Sequence, residues 1–250
     1  MNSYFINNFI PPNPHAVLFE IFNKIFNCYD LSISSISICN YSFTIISIDN
    51  TVLISLREIH KAYGIIPKRK RVILCIDATN VKLRVVRLIN KLVQSKNSKG
   101  LINNDKRIGR EETNALLSHD AFINKVEDQT KIAYVYRYFK NGDVGDMVYN
   151  PRYGQSFPTK IRLEIIELMI KEVIRVHSQG YIHGDVKYDN FVWKLKKGKI
   201  KVALIDNENA RKEDESSCKT TGSCGFYSPE TIRLSLNPRS NEKITRKSDI

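Results

Sequence analysis

Residues 158–180 constrain this chain more than any other stretch. Apolar side chains recur there at Ile161, Ile165, Leu168, Met169, Val173 and Val176, the spacing of one helix face, and Ile166 and Ile170 widen the stripe. The period predicts a long helix with much of its circumference buried. Gly180 ends it, because glycine takes the left-handed backbone that closes a helix at little cost.

Upstream the period changes. Residues 31–56 are rich in Ile, Ser, Thr and Val with partial alternation, as in Ser32-Ile33-Ser34 and Ser37-Ile38, which reads as strands. Further strands are expected over 71–77, 81–89 and 132–139, with an Ala78-Thr79-Asn80 turn between the first two and Asn141-Gly142-Asp143 closing the last. Residues 103–110 are polar and charged and read as a loop, followed by a helix over 111–117. Beyond Gly180, residues 190–195 and 200–205 read as a hairpin about Lys197-Gly198. The pattern is α+β: a strand-rich first part, then a mostly helical part carrying a small hairpin.

Hydrophobic content of 42% with 26% charged residues fits a folded chain. The net charge of +13 favours polyanions in general. Its sharpest run, Lys68-Arg69-Lys70-Arg71, lies between two strand-like segments and reads as a solvated hairpin, so a nucleic-acid partner is not expected. Five cysteines, an odd number with no Cys-x-x-Cys pair, fit reduced thiols in a cytoplasmic or nuclear compartment. The apolar N-terminus is interrupted by Asn7, Asn8, Pro11, Pro12 and Pro14 and has no basic leader, so a signal peptide is not expected. No apolar run reaches membrane-spanning length, and no membrane partner is expected.

The chemistry concentrates after the long helix, in Tyr181-Ile182-His183-Gly184-Asp185-Val186-Lys187-Tyr188-Asp189-Asn190. An Asp and an Asn five residues apart on a tight loop can face one phosphoryl-transfer centre. Asp185 would orient the acceptor hydroxyl, and Asn190 would offer its oxygen to magnesium. Lys187 would place positive charge on the transferring group. A hairpin later, Leu204-Ile205-Asp206 ends an apolar strand in a carboxylate suited to a second magnesium contact.

These residues resemble the protein kinases, with His183-Gly184-Asp185 and Asn190 as the catalytic-loop motif and Asp206 at the Asp-Phe-Gly position. Gly222 to Glu230, ending in Ser-Pro-Glu, is similar to the end of the activation segment, where Ser223 would hold a hydroxyl against the catalytic Asp and Lys. Lys247-Ser248-Asp249-Ile250 resembles the start of the following helix, whose Asp supports the catalytic loop. Residues 134–143 resemble the strand and hinge that cradle adenine. Upstream, Ala62-Tyr63-Gly64 is similar to the glycine-rich loop, with Gly64 over the phosphates. Residues 81–86 are similar to the third strand, placing Arg84 at the ATP-binding Lys position, with Lys82 on the same face as a substitute. Glu111, with Glu112 as alternative, would be the paired carboxylate.

The resemblance implies a two-lobed kinase fold: an N-terminal extension or extra strands over 1–45, an N-lobe over 46–137, and a C-lobe over 138–250 that stops after the activation segment and is incomplete. It implies ATP and magnesium as cofactors and Ser/Thr hydroxyls of a protein substrate as acceptors. Gly184 stands where many kinases carry an Arg that pairs with a phosphorylated loop, and Asn207-Glu208 stands for Phe-Gly. These departures keep open a pseudokinase or scaffold. His-Gly-Asp with an Asn five residues on also suits small-molecule kinases of the aminoglycoside or choline type, although Lys187 and Ser-Pro-Glu favour the protein kinases.

Overall fold

The computed structural model describes residues 32–38, 41–48, 51–58, 70–91, 98–118, 121–127, 129–213, 222–238 and 242–250. They form two compact units, one of strands and one that begins with a helix before residue 122 and resumes at Tyr138.

The first unit is one sheet. Its strands are β1 (Ser32–Ile38), β2 (Tyr41–Ile48), β3 (Thr51–Glu58), β4 (Lys70–Asp77), β5 (Lys82–Asn90), β6 (Phe122–Glu127) and β7 (Lys131–Arg137), in the spatial order β1-β2-β3-β4-β5-β7-β6. The pairs from β1–β2 through β4–β5, and β5–β7, are antiparallel. At the β4–β5 turn the Asp77 carboxylate accepts from the Thr79 and Asn80 amides at 3.1 and 3.3 Å, an Asx turn that ends the strand. Alternate residues Ile73 and Cys75, Val86 and Leu88, and Ala133 and Val135 turn to one face and pack with Ile46, Leu53 and Val126. Fully burying each large aliphatic side chain contributes about 1.5–3 kcal/mol. Burial also pushes the Cys75 thiol up to about 12, leaving it protonated and unreactive. Strand β6 carries no pattern that marks it in the sequence; its place beside β7 makes it a strand.

The second unit contains α1 (Ser98–Leu117), α2 (Val144–Tyr149), α3 (Pro151–Gln155), α4 (Thr159–Ser178), β8 (Tyr181–Ile182), β9 (Phe191–Lys196), β10 (Lys199–Leu204), β11 (Arg211–Lys212) and α5 (Pro229–Leu236). Helix α4 is the one predicted by the 158–180 period, and Gly180 follows its C-cap at φ 80°, donating to the His177 carbonyl. Ile165 and Val176 are buried, with Ile161, Leu168, Met169 and Val173 packed beside them. Ile166 and Ile170, expected to widen that buried stripe, instead face outward with Leu163 and Ile174, all at least half exposed. They sit on the neighbouring flank, which this core does not reach.

The β9–β10 hairpin lies under α4, with Lys197 and Gly198 both at positive φ, the turn that matches strand twist. Trp193 is fully buried and meets Phe157 edge-on at 5.0 Å. The Gly142 carbonyl accepts from the Trp193 amide, and Asp143 caps α2 through the Asp146 amide at 2.9 Å. Residues 103–110, expected as a loop, are helical in α1. The polar stretch offers no wide apolar face to signal a helix, while the end of α1 is secured: Leu117 is buried, and its carbonyl accepts from Arg175 of α4 at 2.6 Å.

Candidate active site

Strand β8 delivers the chain into the loop at residues 183–190. Two residues of β8 pair with β11, Ile182 against Arg211 and Tyr181 against Lys212. The loop is then gripped from the far end of the chain. The buried Asp249 carboxylate accepts from the His183 amide at 2.7 Å and the Gly184 amide at 2.8 Å, and meets His177 Nε2 at 2.9 Å. Asp249 lies on a short 3-10 turn, Arg246–Asp249.

His183 is fully buried, and its Nδ1 accepts from the Asp185 amide at 3.2 Å, so the ring proton sits on Nε2. Burial holds its pKa below the usual 6.5, outweighing the opposing pull of Asp249, Asp185 and Asp206. The imidazole is a neutral support for the loop.

Asp185 and Asn190 face each other across the loop. Asn190 Nδ2 donates to the Asp185 carbonyl at 2.8 Å and to Asp185 Oδ2 at 3.3 Å. The Lys187 ammonium sits 3.2 Å from Asp185 Oδ2 and donates to the Ser223 hydroxyl at 2.6 Å. Asp185 Oδ1 and Asn190 Oδ1 are buried and accept no hydrogen bond. Native interiors rarely leave acceptors so placed without a purpose. One carboxylate oxygen and one amide oxygen are what an acceptor hydroxyl and a hard cation such as magnesium require. Among the described residues no cluster of three or more His, Cys, Asp and Glu side chains could hold a metal ion.

Asp206 comes from the end of β10. The preceding Ile205 amide donates to the Asn190 carbonyl at 2.8 Å, tying this strand end to the loop. Asp206 adopts a left-handed backbone, φ 66° and ψ 45°. The activation-segment residue Gly222, at φ 107°, approaches so closely that a Cβ there would lie 2.5 Å from the Gly184 carbonyl. Only glycine fits.

The sequence pattern that defines the protein kinase domain matches residues 68–250. The chain belongs to the protein kinase domain family. Over 117 residues it is 26% identical to MAP3K epsilon protein kinase 2 of Arabidopsis thaliana, a stretch covering 46% of this chain and 8% of that protein. The match to MAP3K epsilon protein kinase 1 of Brassica napus is also 26% over 117 residues, covering 46% and 9%. The aligned stretch is thus a small part of those relatives.

Within this kinase domain, with its strand-rich first lobe and mainly helical second lobe, Asp185, Lys187, Asn190 and Asp206 gather about one loop. The other expected positions distribute differently. Glu111 is buried in α1 and accepts from Asn114 at 3.3 Å, whereas Glu112 is exposed. Arg84 is engaged in its own sheet, where its guanidinium meets the buried Asp77 carboxylate at 3.0 Å. Lys82 is exposed at the start of β5. Gly64 lies outside the described residues.

Two features escaped the sequence reading. Arg87 lies on the opposite face of β5 from Arg84, across from Tyr134, with its guanidinium 6.0 Å from the centre of the Tyr136 ring. Arg84 shares its face with Val86 and Leu88, and Arg87 shares its face with Val85 and Ile89, so alternation alone does not mark either arginine. The second is a buried polar cluster of Asn114, Ser118 and Asn207, which nothing in the sequence pattern announces.

Proposed function

We propose that this kinase domain transfers the γ-phosphate of ATP, with magnesium, to Ser or Thr hydroxyls of protein substrates. The observation that carries the reading is the pair of buried, unsatisfied acceptors, Asp185 Oδ1 and Asn190 Oδ1, beside a Lys187 ammonium held between Asp185 and Ser223. In this reading Asp185 Oδ1 orients the incoming hydroxyl and takes up its proton. Lys187, already 3.2 Å from Asp185 Oδ2, supplies positive charge where negative charge develops on the transferring group. Asn190 and Asp206 would hold magnesium, which would supply positive charge to offset that of the phosphates.

For the cation on the phosphates the reading keeps Arg84, with Lys82 as substitute; Arg84 meets the buried Asp77 carboxylate at 3.0 Å in this structure, and Lys82 is exposed. Glu111 is the carboxylate that reading assigns to α1, and Gly64 the residue over the phosphates. An arginine offers a planar fork in place of a point charge, which weakens ATP binding relative to the family's lysine. The Ser223 hydroxyl against Lys187 and the Ser-Pro-Glu segment support Ser/Thr over other acceptors.

A second reading, a nucleotide-binding domain that transfers little phosphate, is favoured by Asn207-Glu208, which stand where the family carries Phe-Gly. Purified protein, magnesium and γ-labelled ATP with a Ser/Thr-rich acceptor such as myelin basic protein, alongside Asp185→Ala, decide between them. The first reading expects at least about a hundredfold loss of label in the variant, the scale on which a positioned proton acceptor contributes. Equal label in the two proteins would end it.

A further inference from the structure

We infer that Asn114 is a positioning residue that fixes the backbone on either side of Asp206 and Glu111 on α1 as a single unit; this rests on the kinase reading, in which Asp206 holds metal. Asn207 stands where the resemblance expects an apolar Phe, and it is fully buried. A buried amide must find partners. Asn207 uses its backbone N–H and its Nδ2, both donating to Asn114 Oδ1 at 2.8 and 3.2 Å, while Nδ2 also donates to the Ser118 hydroxyl at 3.0 Å.

A backbone N–H can only donate, which settles how the Asn114 amide is turned: its oxygen faces Asn207. Its Nδ2 is therefore left to face Glu111 Oε2, 3.3 Å away. Glu111, Asn114 and Ser118 lie three and four residues apart on one helical face, and each is about 1% exposed. One side chain thus binds the α1 carboxylate with its nitrogen and the Asp206 segment with its oxygen.

The consequence falls on Asp206. Its left-handed backbone is costly for a residue with a side chain and persists only when the surroundings over-determine it. The chain is pinned on both sides: the Ile205 amide by the Asn190 carbonyl at 2.8 Å, and the Asn207 amide by Asn114 at 2.8 Å. Where an apolar side chain would only fill space, this amide dictates a direction.

Two measurements test the inference. The first is on the unaltered protein without nucleotide: the amide of Asn207 should exchange with deuterium as slowly as that of Ile205, and exchange at the rate of an open loop would overturn the clamp whatever the domain's activity. The second follows binding of a fluorescent ATP analogue as magnesium is titrated. Asn114→Ala should raise the magnesium needed for half-saturation about tenfold to a hundredfold, as loss of a ligand-orienting partner does. Ser118→Ala removes a neighbouring bond of the same cluster but leaves the Asn207 N–H held, so it should lower the melting temperature without moving the magnesium requirement. An Asn114→Ala protein with the unaltered magnesium requirement, or two variants shifting alike, would overturn the positioning role. Unaltered protein that binds the analogue without any magnesium dependence would instead refute the kinase reading, while the exchange rates still decide the clamp.

Discussion

Replacing Asp249 tests how the active-site loop is held, because one buried carboxylate serves three donors from two distant segments. His183 N–H, Gly184 N–H and His177 Nε2 lie 2.7, 2.8 and 2.9 Å from its oxygens. Asp249→Asn keeps the shape but turns one acceptor oxygen into an NH2. Whichever way the amide faces, at least one donor then meets another donor: Gly184 N–H on one side, or His183 N–H and His177 Nε2 on the other. Leaving one buried donor unsatisfied costs about 1–3 kcal/mol, and for a chain of this length each kcal/mol moves the melting temperature about 2–4 °C. We expect a drop of about 4–8 °C for a loss near 2 kcal/mol. Asp249→Ala strands all three donors and should cost about 3–9 kcal/mol, a large share of the 5–15 kcal/mol that holds a typical domain together. Circular-dichroism melts at neutral pH measure both. The loop geometry should fail with the fold, so phosphate transfer assayed below the transition should drop further in the alanine variant. Should Asp249→Ala melt within about 1 °C of the unaltered protein, the three contacts are not holding the loop and the reasoning is wrong.

Gly222→Ala should impair phosphate transfer at least about tenfold while shifting the melting temperature by only a few degrees, because a Cβ at φ 107° would collide with the Gly184 carbonyl beside Asp185; transfer at the unaltered rate would refute the close approach. Burial depresses the His183 pKa below its ordinary 6.5, so the unfolded chain takes up the proton first as pH falls. Stability from this group should therefore be level above about pH 6.5 and decline below it; urea midpoints at pH 7.5 and 5.5 measure the slope, which should shrink in His183→Gln and would contradict the neutral-imidazole reading if it did not.

What could be read along the chain were the features that repeat locally. Helix α4 and the β9–β10 hairpin follow from apolar period and from Lys197-Gly198, since both report local backbone preference and one buried face. The loop residues Asp185, Lys187 and Asn190 were legible for the same reason: they lie within six positions of one another, and their residue types are hard to exchange in phosphoryl transfer. Features that depend on distant partners were not legible. Residues 103–110 of α1 have too few apolar positions to announce a helix. Ile166 and Ile170 carry the same apolar character as their buried neighbours, yet only the packed core distinguishes their flank.

Arg84 and Arg87 mark the division most clearly. Both are arginines on one strand, three residues apart, and the order of residues alone does not say which faces the core side. Strand alternation makes their faces opposite; the pairing of β5 with β4 and β7 then gives Arg84 to Asp77 and Arg87 to Tyr136. The chain by itself determined the chemistry it brings, a carboxylate, an ammonium and an amide on one short loop, because that information lies in residue identity and short spacing. Tertiary structure alone decided what surrounds them: Asp249 reaches His183 across 66 positions and Asn114 reaches Asn207 across 93. Bonds between residues so far apart exist only once the intervening chain has paid its loop-closure entropy and folded.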